Sequence, residues 1–439
     1  MRWLEINKSA PLKGTIKVPG SKNSSLGLLA ASCLADEPVT LENIPNINDI
    51  KVMSEIGEEI GLIINRQKNN LIIDPRKIYS STVNPVKSAE FRTAYYFIGS
   101  LIAKFGKVTV GFPGGDKIGP RPIDQHIKGF KALGADVEFF NDYYVVKADK
   151  LVGTDIYFDV ITSGATINLM MAAVRAFGKT TLHNAARDPE VVDIAIFLNK
   201  MGARIFGAGT DTIRIEGVNS LKGCTHQVIP DRLIAGTYLI GAGVCGGEIT
   251  VNDVIPEHLE SCIEKLTEIG VAIEKSDNSI TAYGTEDLKP TRVRAGMYPV
   301  FGSDLQQPLT TLLLKANGRS HIIDSVFPER FHHCVQLRRM GADIQIQKGG
   351  AYINGVSPLT GAWVHASDIR AGTCLILAGL IAEKTTFITG VEHIERGYED
   401  IVKDFRSLGA DIRLSSDNIE EDIREPFILS SAAKIYPVV

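Results

Sequence analysis

EHLESCIEKLTEIGVAIEKSDNSITAYG, residues 257–284, carries the signals of most of one folding unit. Over its first half the apolar residues Leu259, Cys262, Ile263, Leu266 and Ile269 recur three and four apart, the spacing of one face of a helix. Gly270 stands where such a helix ends in a left-handed cap. Beyond it, AIEKSDNSITAYG alternates apolar and polar residues on either side of an Asp-Asn turn, which predicts a β-hairpin.

The heart of this stretch, apolar-Gly-apolar-x-apolar, occurs six times: EEIGLII, KALGADV, NKMGARI, TEIGVAI, RRMGADI and RSLGADI. The glycines are Gly61, Gly134, Gly202, Gly270, Gly341 and Gly409, about 70 residues apart throughout. Such a fixed period is the mark of an internal repeat. RIFGAGTDTIRIEG and DIQIQKGGAYING repeat the hairpin pattern. Upstream of each phrase lies a second, more apolar helix rich in small residues and then a strand, as in LLAASCLADEPVTLENI and NLMMAAVRAFGKTTLHN. The unit reads strand, helix, strand, helix, strand, strand. A helix apolar nearly all round has to be buried, so the fold class is α/β, with buried helices inside and sheets outside. Six units at this size divide economically into two domains of three.

Composition narrows the partners. Lys and Arg number 47 against 51 Asp and Glu, and no basic block breaks that balance, which argues against a nucleic-acid or anionic-membrane surface. There is no apolar run long enough to span a bilayer, and the opening MRWLEINKSAPLKG lacks the apolar core of a secretory signal, so a cytoplasmic location is expected. The six cysteines show no CxxC spacing, which offers neither a disulfide framework nor a metal site. No GxGxxG set between a strand and a helix, and no Walker motif, points to a nucleotide cofactor, and nothing predicts an obligate protein partner.

The segments just before the six buried helices read VPGSKNSSLG, SAEFRTAYY, VITSGATINL, IPDRLIAGT, FGSDLQQPLT and ASDIRAGTC. Polar and charged groups gather there: Lys22, Asn23, Arg92, Thr162, Ser163, Gly164, Thr166, Asp231, Arg232, Asp304, Asp368 and Arg370. Helix N-termini carry unpaired N–H groups and partial positive charge, and so attract anions, phosphates above all. Ser, Thr and Asp in such places also serve as ordinary caps. Lys22, Arg92 and Arg370 do not, because a cation at a helix N-terminus opposes the dipole. PGGDKIGPRPIDQHIKG, residues 113–129, is a Gly- and Pro-rich loop leading into a helix, with Asp116 at its tip. HIERGYED with Arg396 and VFPERFHH with Arg330 add two more cations in short motifs.

VPGSKNSSLGLLAASCLADEPVTLENIP, PGGDKIGPRPIDQHIKGFKALGA, NAARDPEVVDIAIFLNKMGA, SDLQQPLTTLLL, VFPERF, SDIRAG and HIERGYE together resemble the enolpyruvyl transferase family, in its UDP-N-acetylglucosamine 1-carboxyvinyltransferase branch. A more distant likeness is to 5-enolpyruvylshikimate-3-phosphate synthase. The resemblance implies two inside-out α/β domains, one spanning 22–229 with an active-site lid at about 111–122, the other joining 1–21 to 230–439. It implies transfer of the enolpyruvyl group of phosphoenolpyruvate to the 3-hydroxyl of UDP-N-acetylglucosamine, releasing phosphate, as the first committed step of peptidoglycan precursor synthesis, with no cofactor and no metal. An enolpyruvyl transferase with another nucleotide or nucleotide-sugar acceptor is the alternative.

Residue by residue, the resemblance implies Asp116, Lys22, Asp304 and Asp368 as catalytic groups, with Asp304 the general base. Lys22, Asn23, Arg121, Arg330, Arg370 and Arg396 look like the phosphoenolpyruvate site. Asn23, Arg92, Arg121, Pro122, Ile123, Asp124, Gln125, Thr162, Ser163, Gly164, Asp304 and Val326 look like the contacts of the sugar nucleotide. The chain departs from the family in three respects. Asp116 occupies a lid position that is usually Cys, which implies insensitivity to fosfomycin for want of a thiolate. Thr162-Ser163 replaces a more usual Ser-Val, and Gln125 an apolar residue. The tail after Asp417 has no assigned role.

Overall fold

The computed structural model describes residues 1–115, 118–119 and 121–416. Asp116 and the tail from Asp417 therefore lie outside the described residues.

Six inner helices occupy the centre: Lys22–Ser32, Tyr96–Phe105, Ser163–Ala173, Arg232–Cys245, Gln306–Leu313 and Ile369–Ile381. Most of their residues are buried on every side, as apolar and small side chains demand. The second packs against the first and third, and the fourth, fifth and sixth pack against one another. Buried apolar side chains form two separate clusters around these trios, one drawn from Leu26 to Val228, the other from Leu4 to Val18 with Leu233 to Ile412. All six repeat glycines sit at positive φ, from 94° at Gly134 and Gly409 to 112° at Gly270.

The third unit shows the expected sheet most plainly. Asp155–Tyr157 runs parallel to Lys179–His183, which pairs antiparallel with Thr212–Glu216, itself in a hairpin with Arg204–Phe206. Not every unit keeps the predicted pattern. In the second, the first strand is reduced to a single bridge, Thr82 to Thr109. There the chain enters the short helix Pro85–Glu90: Asn84 accepts from the N–H groups of Val86 and Lys87, and Pro85 supplies the φ of a first helical residue. In the sixth, Ile412–Ser416 finds its antiparallel partner in Arg2–Ile6 at the other end of the chain rather than in a local hairpin.

Two strands are exchanged between the trios. Leu12–Lys17 pairs with Gly247–Asn252 in the fourth unit's sheet, and Thr225–Gln227 pairs with Val39–Glu42 in the first unit's. The chain therefore crosses between the cores twice, and the crossings run side by side: Ser21 N–H donates to Ile229 O at 2.7 Å, and Asp231 N–H to Pro19 O at 2.9 Å. Gly20, in the first crossing, admits no side chain, because a Cβ there would lie 1.8 Å from Asn43 O.

Candidate functional site

Lys22 opens the first inner helix, behind Ser21, whose hydroxyl accepts from Ser24 N–H. Its own N–H donates to Asp231 Oδ2 at 3.0 Å across the double crossing. Its Nζ lies 2.7 Å from Asp49 Oδ2. Arg396 comes to the same carboxylate from the second core, with Nε 2.8 Å from Oδ1 and an Nη 3.3 Å from Oδ2. Asp49 is only 3% exposed. Burial raises its carboxyl, but Lys22 and then Arg396 outweigh that and hold it below the usual carboxylate range. The Asp49–Arg396 pair forms part of the lining of a cavity of about 880 Å³, with Phe91, Gly115, His332 and His365.

Asp49 is the member of this cluster that sequence reasoning missed. In NDIKVMSEIGEEI it reads as an ordinary acid in a first turn, favoured by the helix dipole. Only tertiary structure brings Arg396 to it, 347 positions away.

A second cluster lies in the other core. Arg330, 5% exposed, places one Nη 2.6 Å from Asp304 Oδ1 and the other 2.9 Å from Asp368 Oδ1. Gln307, its amide oxygen turned toward Arg330 Nε, accepts there at 2.7 Å. Asp304 lies in the single 3-10 turn Ser303–Leu305 that leads into the fifth inner helix. Against the upward push of burial, Arg330 and Arg370, with Lys22 further off, hold its carboxyl far below the ordinary range. Asp368 caps the sixth inner helix, accepting from the N–H groups of Arg370 and Ala371, and is likewise kept ionised against burial by Arg330. Arg370 is 4% exposed, and one of its Nη atoms has no hydrogen-bond partner among the described residues. Val326 is fixed nearby through Asp324, which accepts from Val326 N–H at 2.9 Å and from the Ser303 hydroxyl at 2.5 Å.

The third cluster belongs to the first core. Arg92 donates to Arg121 O at 2.6 Å and lies over the Tyr95 ring, 5.4 Å from its centroid. Arg121 in turn donates to Gly114 O at 3.4 Å. At the start of the third inner helix Thr162 caps Ala165 N–H, and Gly164 passes so close to Tyr95 that a Cβ would sit 2.5 Å from its hydroxyl. Asp124 begins the helix Asp124–Ala132, with Pro122 and Ile123 just before it, while Asn23 follows Lys22 in the first inner helix. The buried Gln125 amide spends its oxygen on Asp159 N–H and its nitrogen on Asp124 and Asp159, so this departure from the family pattern supports a loop.

The structure thus gathers the expected residues in three groups: Lys22 with Arg396; Asp304, Arg330, Asp368 and Arg370; and Arg92, Arg121 and the Thr162–Gly164 turn. The first two groups are within electrostatic reach, since Lys22 acts on Asp304. Arginine forks and a lysine around ionised carboxylates can hold a small ligand with two anionic groups while a carboxylate takes up a proton.

Comparison with known proteins extends this picture. The family model described as EPSP synthase (3-phosphoshikimate 1-carboxyvinyltransferase) matches residues 6–420. UDP-N-acetylglucosamine 1-carboxyvinyltransferase of Clostridium botulinum is 49% identical over 94% of this chain and 99% of its own length. UDP-N-acetylglucosamine 1-carboxyvinyltransferase 2 of Bacillus anthracis is 48% identical over 96% and 99%. Among solved structures, the enolpyruvyl transferase NikO from Streptomyces tendae superposes with a TM-score of 0.87 at 24% identity, over 95% of this chain and 99% of that one, a likeness of fold.

Proposed function

The chain belongs to the enolpyruvyl transferase family, in the branch of the UDP-N-acetylglucosamine 1-carboxyvinyltransferases, and from that premise we propose that it transfers the enolpyruvyl group of phosphoenolpyruvate to the 3-hydroxyl of UDP-N-acetylglucosamine with release of phosphate. The observation that carries this reading is the 48 to 49% identity to relatives of that name over nearly their whole length.

In the reaction we envisage, Lys22, Arg121 and Arg396 hold the phosphate and carboxylate of phosphoenolpyruvate, with Arg330 and Arg370 beside them. The unpartnered Arg370 nitrogen supports this, being a buried donor with hydrogen-bonding capacity to spare. Arg92, Asp124, the Thr162–Gly164 turn and Val326 receive the sugar nucleotide. C3 of phosphoenolpyruvate is protonated, the sugar hydroxyl attacks C2, and the tetrahedral adduct loses a C3 proton and phosphate to leave an enol ether. Asp304 accepts the hydroxyl proton. A carboxylate held this strongly ionised is a weak base, so it takes the proton only as the new C–O bond forms and the oxygen becomes acidic. The cations stabilise the anionic groups throughout. Asp116 is the proton donor to C3 in this scheme, a role proposed from its chemistry alone.

We further propose that residues 22–229, with the loop at about 111–122 as lid, move as one unit against 1–21 joined to 230–439. The reaction would supply peptidoglycan precursors in the cytoplasm. Asp116 should make the enzyme insensitive to fosfomycin, because a carboxylate is a far poorer nucleophile toward an epoxide than a thiolate. Time-dependent inactivation with an adduct on Asp116, read by mass spectrometry, would overturn that. The activity itself is tested by phosphate release from phosphoenolpyruvate with a panel of nucleotide acceptors. Release with UDP-N-acetylglucosamine is expected; release with another acceptor alone would refute the proposed substrate.

A further inference from the structure

Asp188 precedes the helix Pro189–Lys200 in the position of an N-terminal cap, yet its carboxylate makes no capping hydrogen bond. It turns instead toward two groups on other elements. The Ser163 hydroxyl donates to its Oδ2 at 3.0 Å, and Arg232 approaches its Oδ1 at 3.6 Å. Arg232 also forks onto Glu190, with Nε 3.1 Å from Oε1 and an Nη 3.3 Å from Oε2. All three charged side chains are largely buried, at 14%, 12% and 7% exposed for Arg232, Asp188 and Glu190.

Both anomalies of placement point the same way. Arg232 is the first residue of the fourth inner helix, where a cation opposes the dipole, and it stands immediately after the crossing into the second core. Asp188 and Glu190 stand in the first core. An Asp that forgoes its cap and an Arg at the wrong helix end are both explained by one bond between the cores. Ser163, the departure from the family pattern noted above, attaches the Thr162–Gly164 turn to that bond.

We propose that Arg232 and Glu190, through Asp188, are positioning residues that hold the Thr162–Ser163–Gly164 turn in place for the diphosphate of the sugar nucleotide, so that acceptor binding depends on a contact between the two cores. This rests on the acceptor reading given above. Burial and the neighbouring Glu190 raise the Asp188 carboxyl to about 6 against the pull of Arg232 and Ser163, so a costly charge is retained there.

Steady-state kinetics on the full chain tests the proposal. Arg232→Gln should raise KM for UDP-N-acetylglucosamine about tenfold, the equivalent of one lost charged contact, while KM for phosphoenolpyruvate stays within about twofold. Arg232→Lys, which keeps the charge without the fork, should recover part of that loss. Asp188→Asn keeps an acceptor for Ser163 and the side-chain shape; it should raise the same KM about threefold and serves as the probe if Arg232→Gln fails to fold. An unchanged acceptor KM, or an equal weakening of both substrates, overturns the proposal. If the parent enzyme works only with another nucleotide acceptor, the substrate reading fails by itself, and the same variants measured with that acceptor still decide the positioning role.

Discussion

At the residue scale, the charged groups of the site show what a sequence can and cannot yield. Lys22, Arg330, Asp304, Asp368 and Arg396 were legible because each sits in a short motif with a family likeness, and because cations near helix starts are out of place unless something uses them. Asp49 was not, since nothing in its own helix hints that a guanidinium from the opposite core comes to it. In the structure its single carboxylate bridges two cations, Lys22 and Arg396, and sets their separation. Asp49→Asn should therefore raise KM for phosphoenolpyruvate about tenfold or more through loss of charge-assisted contacts to both cations, with KM for the acceptor nearly unchanged. A phosphoenolpyruvate KM that stays the same or falls would mean that Asp49 competes with the ligand rather than arranging its site.

At the element scale, the repeat glycines carried most of the fold. Their regular spacing implied six helix caps, and each has the left-handed backbone that a cap requires. The sheets were less legible. Strand exchange between the first and fourth units, and the closing of the sixth sheet by Arg2–Ile6, are pairings between distant segments that alternation alone does not specify. The caps differ in surroundings, which gives a graded test. A Cβ at Gly409, φ 94°, meets nothing within 4 Å, whereas one at Gly270, φ 112°, would lie 2.7 Å from Asp287 O. Gly409→Ala should cost about 1 kcal/mol, the strain of a left-handed L-residue alone. Gly270→Ala should cost about 2 kcal/mol or more, because a backbone carbonyl has to move as well. Equal shifts in denaturation midpoint for the two would refute the argument that the cap's neighbours matter.

At the scale of the whole molecule, two helical cores are joined by two adjacent crossings and by ion pairs that span them. Lys22, Asp49 and Arg396 make one such link, and Arg232 with Glu190 and Asp188 another. They differ in their dependence on pH. The Asp49 carboxyl is held below its unfolded value, so its contribution is present near neutrality and is lost only as pH falls through the folded value. Asp188 works in the opposite sense. Its carboxyl is raised to about 6 by burial and by Glu190, so in the folded protein it resists ionisation at a pH where the unfolded chain ionises freely. The folded state consequently bears a penalty that is full above about pH 6 and fades as pH falls toward the unfolded value of about 3.9. Asp188→Asn removes that penalty while keeping a hydrogen-bond acceptor for Ser163. The variant should therefore be more stable than the parent at pH 7.5, and its advantage there should exceed the advantage at pH 4.5 by about 2 kcal/mol. Thermal midpoints of the two proteins, measured side by side across that range, check both the sign and the trend. A parent that is the more stable at pH 7.5, or a difference that does not change with pH, would show that Arg232 rather than burial governs Asp188. The inter-core contact would then be a source of stability in its own right, not a charge kept at a cost for the sake of the nucleotide turn.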